Sequence, residues 1–163
     1  MKQRDPMEEF VRKLLYVDLS KKTIEDIIKK LRKLPWKDEK VYRFTLARFV
    51  KIWKIKFVNI HHMANVASGI LRYHEDFIVS LVDSVLEEIR VGLEENDPRK
   101  NQRRVATVKY LGELYNYRVV ESPPIFDTLY FLITFGHGMG KNTFVLNDSD
   151  RILHSPFFRK YEA

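Results

Sequence analysis

The sequence predicts an all-α fold, with seven or eight helices of about 10–20 residues packed as consecutive antiparallel hairpins. Apolar residues recur at three- and four-residue spacing along most of the chain, and no stretch shows the strict alternation of a strand. Successive helical pairs span about 35–45 residues and are joined by short turns, which is typical of HEAT-like repeats. No sequence repeat is visible at that period, so an irregular helical bundle is the alternative.

Composition limits the classes of protein and of site. The 163 residues are enough for one domain with a sizeable core, and we expect a single domain over residues 1–163. The chain has no cysteine, which excludes disulfides and thiolate metal sites. No metal-ligand or catalytic spacing is visible, so we expect no enzyme, no metal and no cofactor. No apolar run is long enough to span a bilayer, and we expect a cytoplasmic protein without a membrane partner.

The first four predicted helices are defined by their apolar spacing and caps. Met7–Tyr16 is the first helix, and Thr23 is the expected N-cap of the second. Asp38 is the expected cap of a third helix, whose aromatic-rich face continues to Ile55. A fourth helix begins at Asn59 or His61 and carries small residues that favour close approach to a neighbouring helix. These small residues are Ala64, Ala67, Ser68 and Gly69.

The fifth predicted helix, Glu75–Glu94, carries acidic residues in a protein whose formal net charge is +7. At about 100° per residue, its apolar residues fall on one broad side, and four acids lie within roughly 40° of one another on another side. We call these four acids the acidic face: Asp76, Asp83, Glu87 and Glu94. Arg90 lies between Glu87 and Glu94 and relieves part of their repulsion. We expect a basic partner to bind here, and a solvated helix surface with local ion pairs is the alternative.

The remaining predicted elements follow a turn around Asn96-Asp97-Pro98. A sixth helix spans Asn101–Tyr117, and a seventh begins at Glu121 or Ser122 with two prolines in its first turn. The glycine-rich segment His137–Lys141 is a predicted loop. Residues 142–163 hold only a short apolar cluster, with one short helix expected after Asp148.

Basic clusters suggest a second kind of partner. They are Lys21 and Lys22; Lys51, Lys54 and Lys56; and Arg99, Lys100, Arg103 and Arg104. The last four are the candidate RNA contacts, which would bind the phosphate backbone without sequence preference and in a salt-sensitive way. The alternative is that Arg103 and Arg104 pair with Asp97 or Glu113 and hold the hairpin together.

Several segments resemble one family. They are Val11–Tyr16, Arg32–Trp36, Val85–Gly92 and, as the longest and most specific match, Asn101–Arg104 with Tyr110–Arg118. These segments are similar to the third middle domain of the second up-frameshift proteins, the bridging factors of nonsense-mediated mRNA decay. That domain belongs to the middle-domain class of translation initiation factor 4G, which is built of HEAT-like helical hairpins. The match is collinear from residue 10 to residue 136.

The resemblance implies a non-catalytic scaffold of mRNA surveillance, cytoplasmic or perinuclear, that binds the RRM domain of the third up-frameshift protein. The family's three key acids fall on Asp83, Glu87 and Glu94, which leaves Asp76 at the edge of the contact. A sister scaffold that docks a DEAD-box helicase in translation initiation is a further alternative, although residues 101–118 match the decay factor. The family domain continues through further helices, so we expect a C-terminally shortened domain with a divergent tail over residues 137–163.

Overall fold

The computed structural model describes residues 5–138, and the side chains of residues 5–134. Within that range the chain forms seven α-helices and no β-strand, which confirms the all-α prediction. The helices are α1 (Pro6–Tyr16), α2 (Ile24–Arg32), α3 (Glu39–Val50), α4 (Ile60–Leu71), α5 (Glu75–Glu95), α6 (Asn101–Asn116) and α7 (Ser122–Gly138). The short helix expected after Asp148 lies outside the described residues.

The helices pack in two layers. In one layer α1 lies against α3 and α3 against α5, and in the other α2 lies against α4 and α4 against α6. The layers meet where α4 and α6 contact α5. Fully buried side chains from both layers fill the space between them, for example Phe49 and Leu81 from one and Met63 and Tyr110 from the other. This alternation of neighbours is typical of stacked helical hairpins.

Two helix starts show how the caps differ from each other. Asp38 caps α3 as predicted, because its Oδ1 accepts a hydrogen bond from the Lys40 amide at 2.9 Å. Thr23 precedes α2, but its side chain does not cap that helix. Its hydroxyl donates to the Asp18 carbonyl at 2.6 Å and accepts from the Ser20 amide at 2.9 Å, so it stabilises the preceding loop.

The predicted extension of the third helix to Ile55 is wrong. The α-helix ends at Val50, and a 3-10 turn over Ile52–Lys54 follows it. Ile52 is fully buried, so the apolar pattern continues although the backbone geometry has changed. A second 3-10 turn, Phe57–Asn59, then leads into α4.

The seventh helix is longer than predicted. Its first turn holds the two prolines as expected. Backbone N–H groups in the first turn of a helix have no intrahelical acceptor, so proline, which lacks the N–H, loses no hydrogen bond there. The helix runs on to Gly138, so the loop predicted to begin at His137 is wrong for its first two residues. The rest of that predicted loop lies beyond the described part of the chain.

An aromatic cluster joins α5 to α3 and to the turn that precedes α3. Phe77 is almost fully buried and lies edge-on to three rings, with centroid distances of 4.8 Å to Trp36, 5.5 Å to Tyr42 and 5.5 Å to Phe49. Trp36 also stacks on His74, with centroids 4.3 Å apart. These edge-to-face arrangements fix the start of α5 relative to its neighbours.

Gly69 in α4 allows a close approach to α2, as the small residues of that helix predicted. A Cβ atom at this position would lie 2.3 Å from Ile28 Cδ1 and 2.9 Å from Ile28 Cγ1. Distances that short require the whole Ile28 side chain to move, so no larger residue fits without repacking.

We expect Gly69→Ala to lower the free energy of unfolding by about 1 kcal/mol. Overpacking costs about 1–3 kcal/mol, and the better helix propensity of alanine offsets about 1 kcal/mol. Urea unfolding measures the change. In an Ile28→Val background, which removes the nearest atom, the loss is expected to be smaller. A Gly69→Ala domain as stable as the wild type would contradict the close contact.

Candidate partner-binding site

The four acids of the acidic face are all exposed, as the helical spacing predicted. They lie along α5, whose 21 residues span about 31 Å. Asp83 and Glu94 are separated by about 16 Å along the helix axis. The opposite side of α5 is buried in the core through Phe77, Leu81, Val85 and Ile89. The side chains that the sequence grouped are therefore held on one rigid surface.

The charges of the acidic face are only partly compensated. Within residues 5–138, neither Asp83 nor Glu87 forms an ion pair or a hydrogen bond through its carboxylate. Arg90 Nε lies 3.3 Å from Glu94 Oε1, and more than half of each side chain is exposed. An exposed pair of this kind contributes about 0–1 kcal/mol. Arg90 therefore relieves the charge of Glu94 weakly.

The C-terminal end of α5 carries negative side chains, which the helix dipole disfavours at that end. Glu94 and Glu95 lie in its last turn, and no basic residue lies there. Negative side chains add to the partial negative charge of the terminal carbonyls and cost about 0.3–1 kcal/mol each. Glu95 is relieved by Lys100, whose Nζ lies 2.5 Å away. The negative potential at this end is thus concentrated near Glu94.

An open groove of about 540 Å³ lies beside the acidic face. It is lined by Val50, Asp83, Ser84, Glu87, Glu88 and Val91. Val50 is the last residue of α3, so the groove forms where the end of α3 meets the middle of α5. A lysine or arginine fits this lining well, because its aliphatic stem can contact valine while its charged end meets carboxylates. Sequence reasoning missed the groove, since half of its apolar lining comes from another helix.

Glu88, at the edge of the groove, is paired with Arg103 of α6. The Arg103 Nε donates to Glu88 Oε1 at 2.6 Å, and the guanidinium lies 3.9 Å from the centroid of the Trp53 ring. Arg103 therefore pairs with an acid that holds the hairpin together, as the alternative interpretation expected, but the acid is Glu88 and not Asp97 or Glu113. The ion pair joins α6 to α5 behind the acidic face.

Arg104, the next residue, is a buried side chain with 8% of its surface exposed. Its Nη1 lies 3.1 Å from Asn96 Oδ1 and 3.4 Å from the Gly92 carbonyl, and its Nη2 contacts Asn101 Oδ1. Its stem packs on Gly92, where a Cβ would lie 3.2 Å from Arg104 Cγ. This guanidinium stabilises the turn between α5 and α6, and its burial leaves little of it accessible to a phosphate group.

The two other candidate RNA contacts, Arg99 and Lys100, are exposed or partly exposed, and each forms an ion pair with an acidic side chain. Arg99 Nη2 lies 3.0 Å from Asp97 Oδ2. The hydrogen bonds from the Arg99 side chain and amide lower the pKa of Asp97 below its ordinary value. Lys100 is paired with Glu95, as noted above. Of the four basic residues, Arg104 is buried, Lys100 and Arg103 are partly buried and paired, and Arg99 keeps 90% of its side chain exposed beside Asp97.

Comparison with known proteins identifies the family. The family model described as MIF4G domain matches residues 9–146. The chain belongs to the MIF4G domain family. Regulator of nonsense transcripts 2 from mouse and from human is 50% identical over 135 residues. Regulator of nonsense transcripts UPF2 from Arabidopsis thaliana is 48% identical over 136 residues, and Nonsense-mediated mRNA decay protein 2 from Saccharomyces cerevisiae is 37% identical over 146 residues.

These matches confirm the family resemblance of this MIF4G domain. The aligned regions cover 83–89% of the chain, but only 11% of the mammalian and plant relatives and 13% of the yeast relative. No helix among residues 5–138 is both long and apolar enough to cross a membrane. In the same range, no group of three histidine or acidic side chains could hold a metal ion.

Proposed function

We propose that this MIF4G domain is a non-catalytic scaffold of the nonsense-mediated mRNA decay machinery, equivalent to the third middle domain of the second up-frameshift proteins. It binds the RRM domain of the third up-frameshift protein through the acidic face. One observation carries the proposal: two uncompensated carboxylates, Asp83 and Glu87, line an open groove on a protein of net charge +7. The similarity to Nonsense-mediated mRNA decay protein 2 of yeast supports a role in the decay pathway.

The proposed interface has two kinds of contact: one inside the groove, and one at the exposed end of α5. A lysine or arginine of the RRM enters the groove, where Asp83 and Glu87 accept charge-assisted hydrogen bonds. Its stem covers Val50 and Val91. Glu94, at the exposed end of α5, remains in water, so it mainly raises the association rate.

A calorimetric titration of this domain with the RRM domain from the same organism tests the proposal. We expect one RRM bound per domain, with affinity that falls as sodium chloride rises. The fall follows from screening, since the Debye length shrinks from about 10 Å at 0.1 M salt to about 3 Å at 1 M. Absence of binding at low salt would contradict the proposal.

A second candidate function is RNA binding, which the net charge of +7 favours. Filter binding of single-stranded RNA over the same salt series separates the two. We expect weak RNA binding at physiological salt, because Arg99, Lys100 and Arg103 are paired and Arg104 is buried. RNA binding that is tighter than RRM binding would favour the second candidate.

A further inference from the structure

The turn between α3 and α4 exposes apolar and cationic side chains beside one another. Phe57 is 51% exposed and Val58 is 66% exposed. Lys54 and Lys56, which precede them, are exposed too. Lys109 of α6 lies over the Phe57 ring, with its Nζ 4.2 Å from the ring centroid. We call these five residues the Phe57 patch.

The Phe57 patch is built from two stretches of chain without acidic residues. No aspartate or glutamate occurs between Glu39 and Glu75, or between Asp97 and Glu113. Within the described residues, none of the three lysines of the patch forms an ion pair with a carboxylate. The three lysines of this patch therefore have no carboxylate partner in the described part of the chain, unlike Arg99, Lys100 and Arg103.

Packing does not account for the apolar residues of the patch. The 3-10 turn Phe57–Asn59 contributes no buried residue, while Ile52 and Ile60 on either side of it are fully buried. The core thus fixes both ends of the segment and leaves Phe57 and Val58 more than half exposed. A single exposed apolar side chain is ordinary, but adjacent ones rimmed by charge are typical of a protein-interaction surface.

We propose that the Phe57 patch binds an acidic segment of a partner protein that carries at least one large apolar side chain. Carboxylates of the segment pair with Lys54, Lys56 and Lys109, and the apolar side chain packs on Val58 and on the part of Phe57 that Lys109 leaves exposed. Desolvation of the apolar contact strengthens the ion pairs around it, as in interfaces where a hydrophobic centre is enclosed by polar residues.

The geometry favours a protein segment over RNA. Lys109 already covers the Phe57 ring, and Arg103 covers the ring of Trp53, so the aromatic surface available to a base is reduced. Stacking on open aromatic faces is the main sequence-tolerant contact of single-stranded RNA. Val58, which is the more exposed of the two apolar residues, offers neither a stacking surface nor a phosphate contact.

The Phe57 patch is chemically distinct from the acidic face. Arg103, which pairs with Glu88, precedes Lys109 by six residues on α6, or about 9 Å. The acidic face recruits a cationic partner, whereas the patch recruits an anionic one, so this inference does not rest on the proposed RRM interaction. The two surfaces can be disabled separately.

A random-peptide phage library, selected on the full 163-residue chain and counter-selected on a Phe57→Ser/Val58→Ser variant, tests the proposal. We expect enrichment of peptides in which aspartate or glutamate flanks leucine or phenylalanine. An enriched peptide, titrated by fluorescence anisotropy, should lose about tenfold in affinity for that variant and for Lys54→Glu/Lys56→Glu. Circular dichroism checks that both variants fold, as expected for exposed positions.

Two further measurements distinguish an acidic peptide at the Phe57 patch from a ligand of the acidic face and from RNA. Binding of the peptide should persist in Glu87→Arg/Glu94→Arg, which disables the acidic face, and a uridine oligonucleotide should bind without dependence on Phe57 and Val58. Equal recovery of phage on wild type and on the counter-selected variant would overturn the proposal. Enrichment of basic peptides, or oligonucleotide binding that the Phe57→Ser/Val58→Ser change abolishes, would do so as well.

Discussion

Reversal of two charges, Glu87→Arg with Glu94→Arg, is expected to weaken RRM binding by more than about 100-fold. Glu87 lines the groove, so an arginine there meets the cation that the groove would bind, and like charges at an interface cost several kcal/mol. The fold is expected to survive, because both positions are exposed. At the end of α5, an arginine at position 94 also interacts favourably with the helix dipole, by about 0.3–1 kcal/mol. Calorimetry measures binding, and thermal unfolding measures stability.

The matched control for this pair is Glu25→Arg with Glu121→Arg. Both control positions are exposed glutamates outside α5, and the change in net charge is the same. The control should bind the RRM nearly as tightly as the wild type, with a somewhat slower association. If the two double variants bind equally well, the acidic face is not the site.

The second large effect concerns stability: Phe77→Ala should lower the free energy of unfolding by about 3–5 kcal/mol. The ring fills the space between Trp36, Tyr42 and Phe49, and its loss leaves a cavity lined by rigid rings that cannot collapse easily. A loss of this size is a large share of the roughly 5–15 kcal/mol that stabilises a typical domain. Urea unfolding is the measurement.

Val79→Ala is the control for the aromatic cluster, since this residue lies two positions further along α5 and is 52% exposed. Its substitution should change the free energy of unfolding by no more than about 0.5 kcal/mol. Similar losses for Val79→Ala and Phe77→Ala would show that the cluster does not hold the start of α5 in place.

Features confined to one helix could be predicted from the sequence. The bounds of α5 were predicted to within one residue. The exposure of all four acids was also predicted correctly, because the helical period alone decides which side chains share a surface. The turn at Asn96 also followed from local chemistry. Asn96 adopts a left-handed conformation, with φ of 45°, which asparagine tolerates better than most residues.

Features that depend on contacts between helices could not be predicted in the same way. Residues 51–59 contain no glycine or proline, so nothing local marks the change to a 3-10 turn, in which Ile52 is fully buried. The glycine-rich composition suggested a loop from His137, yet both His137 and Gly138 belong to α7. Arg104 looked like a surface cation because its partners, Asn96 and the Gly92 carbonyl, come together only when the hairpin closes.

The packing of α5 against four other helices has a thermodynamic consequence for recognition. A backbone held from several sides has lost its conformational entropy during folding, so little remains to be lost when a partner arrives. Only the glutamate and aspartate rotamers must still be ordered. The spacing of the carboxylates along α5 is therefore a fixed template, and in the proposed complex the adjustment of fit would fall on the long, flexible cationic side chains of the RRM.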